Sequence, residues 1–390
     1  MGYDDDDQAT DTTTNASGIT PASPGGKPAK SLDPTMPAFD HPPMVLTWLP
    51  GDYAPVVTGS GAEKLADSAV APLVAAARGY WTVREDNLAK SVAQMGVKLS
   101  TKQGKRFAAA CRDIDSMVMP AHRFDVVAEA ALHGTEPVAV YYQFRPARPE
   151  TFVTEAGKIK ELKYEVISGQ ELSVGANPGT PASWFTGTTP FLVTEGLLKA
   201  DSALSALLIS CGVSQDELRL QASDVDTTGA RARLRALMDA VPADQRVLVL
   251  SISSCNTWHN KSEWTGLLMS GREGWIGLDA DVATNANVWR EAAGMWSYFS
   301  DRKAKPRLLS PVVPTGLGAT SGDEKYGVDD YLAKIGDWES LKGCLLDALP
   351  PAPTVDPQAV PGNWRVDPDG CSVSECVAVK DVMGNATGAI

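Results

Sequence analysis

Short apolar runs punctuate the second half of the chain: Phe191-Leu-Val-Thr, Arg246-Val-Leu-Val-Leu-Ser-Ile252, Gly274-Trp-Ile-Gly-Leu278 and Arg307-Leu-Leu-Ser-Pro-Val-Val313. Each is strand-length and nearly continuous, the pattern of a strand buried on both faces. Between them, Leu197 to Ser210 carries Leu197, Ala200, Leu204, Leu207 and Leu208 at helical spacing, and Asp224 to Ala240 and Asn287 to Ser300 repeat that period. Buried strands alternating with helices predict an α/β fold with a mostly parallel sheet and helices on both faces.

The stretch before this sheet reads differently. Met44 to about Met119 holds mostly helical signals, including Ala62 to Arg78 with Ala66, Val70, Leu73 and Ala76 on one face. Pro137 to Arg145 reads as a strand, with Lys163 to Ile167 as its partner across a Gly-containing loop. The opening Asp4-Asp-Asp-Asp7 and the Thr, Ser, Pro and Gly that follow offer no apolar period, so residues 1–38 are expected to be disordered. Pro350-Pro-Ala-Pro-Thr-Val-Asp-Pro reads as a stiff linker. The expected division is a tail over 1–38, a mainly helical region over 39–135, an α/β domain with a leading hairpin over 136–349, a linker over 350–362, and a tail or the start of a further domain over 363–390.

Composition narrows the function classes. At 390 residues the chain exceeds one typical domain. It contains no Gly-x-x-x-x-Gly-Lys-[Ser/Thr], so these residues do not encode a P-loop ATPase. No run of about eighteen apolar residues and no apolar signal-peptide core appears, which predicts a cytoplasmic protein with no membrane partner. Cys111, Cys211, Cys255, Cys344, Cys371 and Cys376 form no Cys-x-x-Cys pair, and reduced thiols are expected. Cys255 and His259 have a spacing that a metal uses, but lack the second pair of a zinc site.

The net charge of −13 argues against a broad nucleic-acid surface. Locally the balance reverses. Lys102, Lys105, Arg106, Arg145, Arg148 and Lys163 precede the sheet, and Lys199 follows its first strand. Two readings stand: a solvated helix face plus a hairpin loop, or a groove in which these cations face phosphates and Tyr141, Tyr142 or Phe144 stack bases.

Acidic residues follow two of the predicted strands, as Glu195-Gly196 and as Asp279-Ala-Asp281. Carboxyl ends of parallel strands are where open α/β sheets bind ligands, and carboxylates converging there hold a divalent cation. Singly, each has a plainer reading: Glu195 as a helix N-terminal acid, Asp279 and Asp281 as turn or cap residues. Asp329 and Asp330, after Gly327, read either as helix-capping residues or as support for the metal.

This order of motifs resembles the Toprim fold, a Rossmann-like arrangement shared by bacterial primases, topoisomerases and some nucleases. The resemblance is closer to the Toprim-like domain of uncharacterised function near the start of phage and plasmid primase-helicase proteins. It rests on Tyr142-Gln143-Phe144-Arg145-Pro146-Ala-Arg148-Pro149, Lys163-Tyr164-Glu165, Thr194-Glu195-Gly196-Leu-Leu-Lys199-Ala200-Asp201, the Asp279-x-Asp281 pair and Gly327-Val-Asp329-Asp330.

The resemblance implies a replication enzyme of a phage or plasmid, acting in the bacterial cytoplasm by primase-like nucleotidyl transfer. Glu195 would be the general acid or base, and Asp279 and Asp281 would hold Mg2+ (or Mn2+), with Asp329 and Asp330 in support. Single-stranded DNA and nucleotides would be its substrates, and a replicative helicase, in the same longer chain or in trans, its partner. Two departures argue against autonomous priming: Val282-Ala-Thr-Asn-Ala-Asn287 adds no third acid, and the zinc-binding module of bacterial primases is missing. The alternatives are a metal-dependent nuclease, or a non-catalytic module that docks single-stranded DNA or a helicase.

Overall fold

The structure, a computed structural model, describes residues 46–153, 159–311, 327–335 and 337–353, with short strand segments between 365 and 389. The expected tail over 1–38 and most of the Pro-rich linker lie outside the described residues.

The first two α-helices among the described residues are α1 (Gly59–Asp67) and α2 (Pro72–Arg78). The sequence pattern predicts one helix over Ala62–Arg78; the structure divides it. Pro72 sits at the first turn of α2, and Ala71 before it is extended, at φ −65° and ψ 141°. A proline pushes its predecessor out of the helical region, which overrides the continuous apolar face.

Next come β1 (Trp81–Val83), α3 (Leu88–Gln94), α4 (Lys102–Ala110), β2 (Ser116–Ala121), α5 (Phe124–His133) and β3 (Tyr141–Arg145). A hairpin of β4 (Glu150–Val153) and β5 (Ile159–Leu162) leads to β6 (Glu165–Val166). Strands β1, β2, β3 and β6 form an antiparallel sheet in that order. The predicted pairing of the segments at 137–145 and 163–167 is present, as Gln143 opposite Val166 and Phe144 opposite Glu165. The stretch expected to be mainly helical adds two more strands to this sheet.

Alternation along β3 sends its residues to opposite faces. Phe144 stacks on Phe107 of α4 at 4.2 Å between ring centroids, within a small core with Val83, Val92 and Ile167. Tyr141, two residues before Gln143, joins the main core with Met117 and Met119.

The main sheet contains β7 (Gly175–Ala176), β8 (Phe191–Glu195), β9 (Leu248–Ile252), β10 (Glu273–Gly277), β11 (Lys305–Leu309) and β12 (Leu345–Leu346), in spatial order β12-β11-β10-β8-β9-β7. The four central strands are mutually parallel and the two edges antiparallel. The fold is therefore mixed α/β around a mostly parallel sheet. All five residues of β9 and the first four of β8 are buried, so both faces of these strands are covered. The covering helices include α6 (Leu197–Ser210), α7 (Thr227–Asp239), α8 (Ala286–Asp301), α9 (Val328–Ile335) and α10 (Trp338–Gly343). Two small hairpins, β13 (Arg365–Val366) with β14 (Val373–Ser374) and β15 (Ala378–Lys380) with β16 (Ala386–Ala389), follow.

Gly274 of β10 leaves room for two rings, Phe191 of β8 and Phe299 of α8. A Cβ there would lie 2.6 Å from Phe191 Cζ and 3.0 Å from Phe299 Cδ2. Gly274→Ala is expected to cost about 1–3 kcal/mol by overpacking. An unchanged urea midpoint would mean that the two rings give way.

A buried polar cluster ties α2 to α6. Asp201 of α6 accepts from Arg78 Nε at 2.6 Å and Nη2 at 2.7 Å, from Tyr80 Oη at 2.6 Å and from Asn177 Nδ2 at 3.0 Å. Arg78 and Asp201 are both within one per cent of full burial.

Candidate functional site

The acidic residues sit where the main sheet delivers them. Strand β8 ends at Glu195, opposite Ile252 of β9. Gly196 then takes φ +91°, a backbone conformation that favours glycine, and α6 starts at the next residue. Among the described residues no side chain caps α6, so its first-turn N–H groups have no side-chain acceptor there. On the neighbouring parallel strand, β10 ends at Gly277, and Asp279 precedes a short 3₁₀ turn over Ala280–Ala283. Asp281, in that turn, accepts from Asn285 Nδ2 at 2.9 Å. Glu195, Asp279 and Asp281 are thus brought to one end of two adjacent strands.

Lys199 supplies the positive charge between them. One turn into α6, its Nζ forms an ion pair with Asp279 Oδ1. The pair is mostly buried, with side-chain exposures of 18% for Lys199 and 26% for Asp279. Burial works against the Lys199 ammonium, but Asp279, Asp329 and Glu195 outweigh it and hold the lysine pKa above its ordinary value. Burial pushes the Glu195 carboxyl up; Lys199 opposes that shift, Asp279 and Asp281 add to it, and the Cys255 backbone N–H donates to the carboxylate and lowers it. Glu195 therefore keeps its proton to a higher pH than an ordinary glutamate. The Cys255 thiol, half-buried nearby, is pushed up to about 11, first by burial and then by Glu195, Glu291 and Asp279. At that value it is a protonated thiol at neutral pH and a poor nucleophile.

A cavity of about 170 Å3 opens beside these groups. Glu195, Gly196, Leu197, Leu198, Lys199 and Ser253 form one wall, and Asp329 of α9 closes another. Met119 of β2, Gln143 of β3 and Tyr164, one residue before β6, come from the antiparallel sheet. Both sheets therefore contribute to one pocket.

Asp329 and Asp330 divide their roles. Asp330 Oδ2 accepts from the Gly327 N–H at 3.0 Å and so caps α9. Asp329 is buried; its Oδ2 accepts from Ser68 Oγ at 3.1 Å and lies 3.7 Å from Lys64 Nζ. Among the described residues its Oδ1 has no hydrogen-bond partner. Burial first, then Asp330, raises its pKa against the pull of Lys64 and Lys199.

The basic residues are not gathered here. Of Lys102, Lys105, Arg106, Arg145, Arg148, Lys163 and Lys199, only Lys199 lines the pocket. Lys102, Lys105 and Arg106 lie on α4, which packs on the Phe144 face of the antiparallel sheet, whereas Gln143 faces the pocket on the other. Arg106 is bound in an ion pair to Glu165. Arg148 and Lys163 are exposed and Arg145 half-buried. Two of the aromatics weighed for base stacking are core residues instead: Tyr141 and Phe144 are fully buried, and Tyr142 is half-buried edge-on to Trp81. Trp184, Phe185 and Trp258 are buried too.

Gln143 and Tyr164 were visible in the sequence only as motif letters. The sequence carries no signal for Gln143 as a pocket residue, because a polar side chain in a strand reads as solvent-facing.

The donor set, all carboxylate oxygen, suits a hard divalent cation. Among the described residues, however, no three His, Cys, Asp or Glu side chains converge closely enough to hold one ion. Lys199 already pairs with Asp279, one of the three carboxylates. Cys111, Cys211, Cys255 and Cys344 are free thiols, and no helix among the described residues is long and apolar enough to cross a membrane.

No family model matches the chain, and no curated protein matches it. Among solved structures it is similar to the zinc-binding and RNA polymerase domains of the Aquifex aeolicus primase, at 11% identity and a TM-score of 0.38, over 73% of this chain and 54% of that one. The chain thus spans about half the length of that structure.

Proposed function

We propose that this chain carries a Toprim-like phosphoryl-transfer site and acts in DNA replication by primase-like nucleotidyl transfer. One observation carries the reading: Glu195 and the Asp279–Asp281 pair leave the carboxyl ends of adjacent parallel strands and feel one another's charge. Glu195, with its raised pKa, is the proton donor and acceptor. Asp279 and Asp281, with Asp329 nearby, would hold Mg2+ (or Mn2+), which would neutralise charge on the phosphoryl oxygens when bound. Lys199 keeps Asp279 in place until then. Single-stranded DNA and nucleotides are the proposed substrates, a helicase the proposed partner, and a phage or plasmid in a bacterial cytoplasm the proposed setting.

A second reading has its own support. Lys199 already neutralises Asp279, and among the described residues the acids do not converge on one point, as expected of a non-catalytic module that docks single-stranded DNA or a helicase.

The test is a denaturing gel of labelled nucleotides and single-stranded DNA incubated with the chain in magnesium or manganese, beside the Asp279→Asn, Asp281→Asn double variant. Oligonucleotide synthesis lost in the variant is the expected result. A fragment ladder lost in the variant would make the site a nuclease. Absence of any divalent-dependent product would leave the docking module as the reading.

A further inference from the structure

Gln143 is the anomaly of the pocket. It lies at the centre of β3, paired with Met119 on one side and Val166 on the other, and is only 5% exposed. Its carboxamide has no hydrogen-bond partner among the described residues and is not sealed from solvent, so it opens into the cavity. An amide that a buried strand holds open to a cavity is placed to bond a ligand there, and leucine would fill similar space without its donor and acceptor. The side chain lines the cavity that Glu195 and Lys199 share. Asp329 Oδ1, on another wall, likewise lacks a partner among the described residues.

We propose that Gln143 and Tyr164 form a nucleobase subsite for a single nucleoside triphosphate; this rests on the phosphoryl-transfer reading above. A carboxamide presents one donor and one acceptor side by side, the pattern that reads the edge of a base. Tyr164, 37% exposed at the rim, offers a ring for stacking. Met119, Leu197 and Leu198 supply apolar wall. The cavity of about 170 Å3 has room for one heterocycle, the size of a single base. The phosphates of the nucleotide point towards Lys199 and the uncapped first turn of α6, a helix of 14 residues whose first-turn N–H groups have no side-chain acceptor among the described residues.

The test titrates the full chain with ATP, GTP, CTP and UTP, and separately with a thymidine oligonucleotide, in chelator and in manganese. Variants are Gln143→Leu, Tyr164→Ala and Asp279→Asn with Asp281→Asn. Gln143→Leu is expected to weaken triphosphate binding at least tenfold while its melting temperature stays level or rises. Tyr164→Ala, at an exposed position, is expected to weaken binding similarly with no loss of stability. Oligonucleotide binding is expected to be unaffected by both. Unchanged triphosphate binding in both variants would overturn the subsite, as would a sharp fall in the melting temperature of Gln143→Leu, which would make the amide structural. Loss of oligonucleotide binding with triphosphate binding intact would overturn it in favour of a template base. Triphosphate binding that depends on Gln143, in a chain that yields no divalent-dependent product, would keep the subsite and remove the transfer reaction. Transfer lost in the aspartate variant but indifferent to Gln143 and Tyr164 would do the reverse.

Discussion

Asp201→Ala will destabilise the chain by about 3–5 kcal/mol, because it leaves the Arg78 guanidinium buried with its counter-charge removed. Arg78 then retains only the Ala176 carbonyl, at 3.1 Å, and the hydroxyl of Tyr80 and the amide of Asn177 lose an acceptor as well. A loss of this size is a large share of the stability of an ordinary domain. Urea denaturation followed by tryptophan fluorescence would measure it. The companion Arg78→Met, Asp201→Leu pair should recover most of the loss, since removing both charges removes the desolvation cost along with the attraction. A single variant as stable as the wild type would show that water reaches the cluster. Asp201 ends the Thr194-to-Asp201 motif quoted for the family resemblance, so that motif joins a site residue, Glu195, to a structural one.

Lys199→Met is the second large effect. Without the ammonium, Glu195, Asp279 and Asp329 lose the counter-charge they share, and a cost of about 2 kcal/mol is expected in chelator. If a divalent cation occupies the same neighbourhood, manganese should restore the variant more than it stabilises the wild type, where the cation must first displace Lys199. A cation at a hundred times its dissociation constant stabilises by about 2.7 kcal/mol, well within reach of calorimetry. The Asp279→Asn, Asp281→Asn variant should lose the manganese response. Equal manganese shifts in wild type and Lys199→Met, or none in either, would show that lysine and cation do not compete.

How much of this was legible in sequence depends on what set each feature. The central strands β8, β9, β10 and β11 could be read because both of their faces are buried, which forces continuous apolar runs. Glu195 and Asp279 could be placed because a strand end is a local feature. The antiparallel sheet was half hidden: β1 is three residues long, and β2 carries Pro120 in a Met-rich run that does not alternate. Lys199 was read as a phosphate-facing cation, and its pairing with Asp279, eighty residues on, is set by the contact between β8 and β10 and by no local pattern. Gln143 carries no legible role in the sequence, because polarity in a strand signals exposure. Its burial comes from packing against the main sheet, which only the folded chain provides.

The shared pocket also says which part of this molecule is portable. Met119, Gln143 and Tyr164 come from the antiparallel sheet and its loop, Glu195 and Lys199 from the main sheet and α6, and Lys64 and Ser68 at the end of α1 reach Asp329. A recombinant fragment cut near residue 136 would keep the acidic residues and forfeit Met119 from the cavity wall, together with the Arg78 anchor beneath α6. The smallest exchangeable cassette is therefore both sheets with α1 and α2, and chimeras that graft the parallel sheet alone should be built with that seam in mind.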